Sequence, residues 1–273
     1  MKDARLRVHS LVAALVLLAL TALNANAQED GSDFLADLHT FRISNYMALD
    51  AYYRFSGTGA TDTLNEIVAE INAANDAMNR LSQSTSGILS AEQIESLNQE
   101  FDRFKSLMRD NINDVRNTGY PDLRLVSDMA NQALVMNNMA TDLYTLAQDS
   151  SQTTTSPRVE AARLAAVKMA QMMAKYSVRS NLAASQTFQG ASTETALDEQ
   201  AREFDALLTQ VTSGPSEGEL KSLLEDIDSK WQFIRGSYIN YNENNVGFVI
   251  DRYSKRILDG LESTIELLQT TPS

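Results

Sequence analysis

Apolar residues return every three or four positions along most of this chain. Leu64, Ile67, Ile71, Ala74, Met78 and Leu81 keep that step, and Ile94, Leu97, Phe101, Phe104 and Met108 repeat it, continuing to Ile112 and Val115. The period is that of an amphipathic helix, and the alternating step is a seam by which the helices of a bundle meet. Glycine and proline break the pattern at Gly57/Gly59, Gly87, Gly119/Pro121, Pro157, Gly190 and Gly214/Pro215/Gly218. Long segments free of such breakers lie between them. No segment alternates apolar and polar residues between hairpin turns, so the expected class is all-α.

Eight helices are predicted: Asp33–Phe55, Thr61–Gln83, Ser90–Arg116, Pro121–Gln148, Pro157–Phe188, Thr193–Val211, Ser216–Tyr241 and Asn245–Gln269. The fifth has Ser156 as a cap before Pro157. Ala162, Ala166, Met169, Met173, Tyr176 and Ala183 mark its expected apolar face, and eight alanines between Ala161 and Ala184 suit a close helix neighbour.

The two halves share an order. Displaced by 133 positions, Leu49, Phe55, Gly57, Leu64 and Ile71 lie over Leu182, Phe188, Gly190, Leu197 and Phe204. Displaced by 126, Ser90, Ile94, Leu97, Phe101 and Met108 lie over Ser216, Leu220, Leu223, Ile227 and Ile234. The expectation is two tandem up-down four-helix bundles, residues 28–149 and 157–273, joined by a Ser/Thr-rich linker at 150–156.

The first residues form a separate segment. Lys2, Arg5 and Arg7 precede an apolar run from Leu11 to Leu23, broken only by Thr21, and Ala25-Asn26-Ala27 follows. Such a pattern predicts a signal peptide over residues 1–27, cleaved after Ala27, and a periplasmic protein. Removing it takes away Lys2, Arg5, Arg7 and Asp3, which leaves 20 basic against 35 acidic residues, a net charge of −15. A field of that sign repels nucleic acid and anionic lipid. With no cysteine, a hydrophobic core rather than disulfides must hold the fold.

Catalytic and metal motifs are missing. Only His9 and His39 occur, and His39 is expected on a solvated helix face. There is no Glu-x-x-His pair for a di-metal bundle, no Gly-rich phosphate loop and no Gly-x-Ser-x-Gly elbow. No enzyme activity and no cofactor are expected. The acidic pairs Glu66/Glu70, Glu92/Glu95, Glu199/Glu203 and Glu225/Asp226 read as solvated helix faces. Met129, Met136, Met139, Met169, Met172 and Met173 either fill core gaps or hold Cu(I) through thioethers, as in a periplasmic copper carrier. Their spacing among Ala, Val and Leu favours packing.

Arg42, Arg54, Arg163 and Arg179 lie on the first helix of each half among apolar or small neighbours. A guanidinium facing a helix crevice or a dimer axis can grip a carboxylate or other small anion bidentately; otherwise it snorkels or pairs with an acid. Arg163-Leu-Ala-Ala-Val-Lys-Met-Ala170, the overlapping Met169-Ala-Gln-Met-Met-Ala-Lys175 and the looser Arg42-Ile-Ser-Asn-Tyr-Met-Ala48 carry a family likeness. In these residues the chain resembles the PilJ-type sensor module, the periplasmic N-terminal domain of type IV pilus methyl-accepting chemotaxis transducers, related to the nitrate sensor NarX. The resemblance implies a four-helix sensory bundle that dimerises through its first helix. It also implies an anion clamped by a first-helix arginine, here Arg163 and, as the looser match, Arg42; Arg179, from the residues alone, is a further candidate ligand-binding residue. The expected role is a free-standing sensor or adaptor that meets a small ligand or a membrane receptor. A structural interaction protein of the cell envelope is the alternative.

Overall fold

A computed structural model describes residues 31–270 apart from 85, 151–154, 182–194 and 244. The described residues form eight helices and no strand. α1 covers 31–58, followed by α2 (Thr61–Gln83), α3 (Ala91–Thr118), α4 (Leu123–Ser150), α5 (Pro157–Asn181), α6 (Leu197–Thr212), α7 (Gly218–Ile239) and α8 (Gly247–Thr270). The all-α class is as expected. The signal segment, residues 151–154 of the linker, Ala183 and the predicted end of the fifth helix fall outside the described residues.

Local chemistry sets the helix ends. Ser90 Oγ accepts from the Gln93 amide at 3.2 Å while Gln93 Oε1 accepts from the Ser90 amide at 2.8 Å, a reciprocal capping box that starts α3. Gly119 closes that helix at φ 84°, its amide donating to Val115 O at 2.9 Å. A residue with a Cβ resists that left-handed conformation. Ser156 Oγ accepts from the Val159 amide at 3.3 Å, so the expected cap of α5 is present.

The helices divide into central and peripheral ones. α3 buries only six of its 28 residues, Leu97, Phe101, Phe104, Met108, Asn111 and Val115, along one stripe. α5 buries 14 of 25, which leaves little surface for water. α1 is buried on nearly every side as well. A helix with apolar residues all round belongs in the interior. The face expected of α5 is present but wider: the alanines flanking it, Ala161, Ala165, Ala170 and Ala174, are equally buried, while Leu164 on the opposite side is exposed.

Buried side chains gather in one large cluster from α1–α4 and another from α5–α8. Each takes one fully buried residue from across the boundary, Ala174 in the first and Met47 in the second. α5 packs against α6 and α8, α7 against α8, and α3 against α4. α1 and α5 meet in parallel. Ser177 Oγ donates to Asp50 Oδ1 at 2.5 Å near one end. Farther along, a Cβ on Gly57 would sit 3.2 Å from Asn181 Cβ. α8 runs antiparallel to both, with Asp251 near Arg54 and Glu262 near His39.

Candidate functional site

Two groups of charged side chains lie along α1, and they differ in how their cations are used. In the first, Arg54 Nε approaches Asp50 Oδ2 at 3.1 Å and Asp251 Oδ1 at 3.3 Å, and its Nη2 donates to Glu66. Lys255 Nζ lies 2.8 Å from Glu66 and 3.0 Å from Asp251. Burial opposes the charge on Arg54, but Asp50, Glu66 and Asp251 outweigh it and raise its pKa. Burial pushes Asp50 up despite Arg54 and Ser177, and pushes Glu70 up despite its hydrogen bond with Ser44. Every cation here is shared between carboxylates, so this group ties α1, α2, α5 and α8 together and offers nothing to an added anion. The solvated reading of Glu66 is corrected: it is one of three carboxylates in an ion network with Arg54 and Lys255. Glu92, Glu95, Glu199, Glu203, Glu225 and Asp226 are exposed, as expected.

The second group surrounds Tyr144 of α4. Arg163 is 1% exposed and Arg42 3%, and both reach that one ring. Arg163 Nη1 donates to the Tyr144 hydroxyl at 3.0 Å and to Glu160 Oε1 at 3.0 Å. The hydroxyl donates onward to Glu160 Oε2 at 2.8 Å. The Arg42 guanidinium carbon lies over the ring face, 4.8 Å from its centre. Burial raises the Tyr144 pKa, so the phenol stays protonated and keeps its donor. Burial lowers that of Arg42, offset in part by Tyr144, Tyr46 and Glu160. A guanidinium nonetheless stays charged in a protein.

The unused donors set this group apart. Arg42 Nε and Nη1 and Arg163 Nε are buried with no hydrogen-bond partner, and so is His39 Nδ1. Arg42 has no ion pair among the described residues. Glu160, the carboxylate whose charge acts on it, is already held by Arg163 and Tyr144. With His39 neutral, the charges around Tyr144 are the buried Arg42 and Arg163 and the partly buried Glu160, a surplus of one positive charge. Such a charge is costly in the interior unless an anion meets it.

His39 corrects the sequence reading outright, for it is 3% exposed. Its Nε2 lies 3.2 Å from Glu262 Oε1 of α8. Because a carboxylate only accepts, Nε2 carries the proton and Nδ1 is a bare lone pair in the neutral ring. Burial lowers the His39 pKa, and Arg163 and Arg42 add to the effect, against the opposing pull of Glu262.

Comparison of the chain with protein-family models, curated proteins and solved structures finds no match.

The structure thus brings Arg42 and Arg163 together and leaves the other two arginines elsewhere. Arg179 is 16 residues beyond Arg163 on α5, about 24 Å along the axis. There it stacks over Tyr241, 4.5 Å from the ring centre, and donates to Asn242. Tyr144 and Glu160 escaped the sequence reading. Tyr144 follows Met136, Ala140 and Leu143 on the buried stripe of α4, and Glu160 stands three residues before Arg163. Met129, Met136, Met169, Met172 and Met173 are buried in the clusters and Met139 packs against one, as packing predicts.

Proposed function

We propose that this chain is a binding module for a small monoanion, such as a carboxylate or nitrate, held between Arg42 and Arg163 beside Tyr144. One observation carries the reading: a buried guanidinium, Arg42, has two unpartnered donors and no counter-charge of its own. The surplus of a single positive charge suits a monoanion. Two or more donors in a planar fork suit flat oxyanions, which accept parallel hydrogen bonds from one guanidinium.

The likeness to PilJ-type modules supports a sensory or adaptor role, with the protein exported to the periplasm and passing its ligand state to a membrane receptor. Binding at the α1–α5 contact would do this by tightening the two central helices, since a ligand that binds only the folded arrangement stabilises it. Dimerisation through α1 has less room in this reading, because α1 is already enclosed by its own chain.

Thermal unfolding with formate, acetate, nitrate and nitrite tests the proposal. A ligand present at 100 times its dissociation constant adds about 2.7 kcal/mol. For a domain of this size that is a rise of about 5–11 °C. Formate and nitrate are expected to raise the midpoint of the wild type and not that of Arg42→Met. Equal rises in both proteins, or none in either, would remove the site.

A further inference from the structure

We infer that the Arg42–Arg163 site takes up its anion together with one proton, carried by Nδ1 of His39. The inference rests on the anion reading above and adds a pH-dependent ligand class: acids bound in a proton-coupled way.

The geometry of His39 sets this up. Its Nε2–H is committed to Glu262, 3.2 Å away, so the neutral ring presents only a lone pair at Nδ1. A lone pair repels an anion. Once protonated, Nδ1 becomes a donor, and the ring carries a charge that Glu262 on the other side stabilises. In the empty site, protonation is opposed from within α1 by Arg42 and from α5 by Arg163, both positive, and by burial. The group that favours protonation is Glu262 of α8, while Glu160 of α5 is bound to Arg163 and to Tyr144 of α4. An anion beside the two arginines cancels the repulsion that keeps the ring neutral. Anion and proton therefore favour each other's binding, and by linkage the effect is reciprocal.

The charges of the site are then paired differently in each state. Empty, the site has two guanidiniums, one carboxylate and a neutral imidazole inside. Loaded, the anion answers the surplus guanidinium charge, and the added proton on the ring is answered by Glu262, 3.2 Å from Nε2. Each charge added on loading thus has an opposite charge beside it, which a buried site requires.

Titration calorimetry with formate on the full chain, in cationic buffers of differing ionisation enthalpy, reads both affinity and protons taken up. Formate is expected to bind about tenfold more tightly at pH 5.5 than at pH 8, within the limit of about tenfold per pH unit for one proton. Uptake should approach one proton where the empty ring is neutral and the loaded ring charged. His39→Gln should lose the pH dependence. Glu262→Gln should move it to lower pH. His9 and His39 are the chain's two histidines, so the imidazole signals of isotope-labelled wild type also report the His39 titration directly, with and without formate. Formate and nitrate that fail to bind at any pH would sink the anion reading and this one with it. Binding with unchanged affinity and no proton uptake would overturn the coupling and leave the anion site standing. Proton uptake with a His39 ring that does not titrate differently would take the proton away from His39.

Discussion

Arg42→Met and Arg163→Met should shift stability in opposite directions, although both remove a buried arginine from the same site. Methionine is unbranched and flexible and fills much of the space an arginine stem leaves. At Arg42 the change removes a buried charge with no ion pair and two orphaned donors. Replacing a buried charge group by apolar atoms is often neutral or stabilising by about 1–4 kcal/mol. Against this stands the loss of the contact over Tyr144, which costs about 0.5–2 kcal/mol. The expected net effect is a gain of about 1–2 kcal/mol without ligand. At Arg163 the change breaks a buried pair and leaves Glu160 with only the Tyr144 hydroxyl. Removing one partner of such a pair costs about 3–5 kcal/mol. Urea unfolding followed by far-ultraviolet circular dichroism measures both, in a buffer whose only anions are too bulky for the site. A loss of more than about 1 kcal/mol in Arg42→Met, relative to wild type with no ligand, would mean that the charge of Arg42 is already compensated in the fold. The case for an anion there would then fall.

Three further outcomes follow from other parts of the molecule. Gly260→Ala places a Cβ 2.7 Å from Ile227 Cγ1 where α8 crosses α7, so the helices must part, at a cost of about 1–3 kcal/mol by urea unfolding; an unchanged midpoint would show that this crossing has slack. Ser90→Ala removes the side-chain half of the capping box of α3 and should cost about 1 kcal/mol, with faster amide hydrogen exchange in the first turn and not at Gly119. The pH dependence has a sign set by His39: its folded pKa lies below the unfolded one, so without ligand it withdraws stability as pH falls below about 6.5 and has no effect above that. The difference between wild type and His39→Gln in urea midpoint, measured from about pH 8 to about pH 5, should be flat at the alkaline end and turn against wild type in acid. A constant difference would deny His39 any part in acid sensitivity.

How much could be read from the sequence depended on whether a helix had one buried face or many. α2 and α3 were plain, because Ile67, Ala74, Met78 and Leu81, or Leu97, Phe101, Phe104 and Met108, form one stripe with charged residues opposite. The predicted ends of α2 agree with those observed, since Gly59 and the serines after Gln83 bracket it. α1 and α5 misled for a shared reason. Both are enclosed on several sides, so His39 and Arg163 sit in the interior although they lie off the most apolar stripe. Alanine hides this, being common both on exposed helix faces and in close contacts. The pairing of Arg42 with Arg163 was also hidden. The two residues are 121 positions apart in the chain, and only the parallel meeting of α1 with α5 brings them to one tyrosine.

That parallel meeting also explains why charged groups lie in the interior at all. The α5 surface facing α1 is made largely of alanine and methionine, which pack adaptably and define a sliding position poorly. A slip of one residue would move α5 by about 1.5 Å and turn its contacts by about 100°. Asp50 with Ser177 holds α5 against α1, and Arg163 with Tyr144 holds α5 against α4; neither tolerates such a slip, because each would leave a polar group unpaired. Buried polar pairs of this kind set register at a cost in stability. Setting register accounts fully for the Asp50–Arg54 group, in which Arg54 and Lys255 are both spent on carboxylates. It does not account for Arg42. Register needs only Arg163 on Tyr144, and Arg42 brings a second buried charge to the same ring, two idle donors, and no carboxylate to answer it. A buried charge that no carboxylate of the fold pairs with is what the proposed anion would answer.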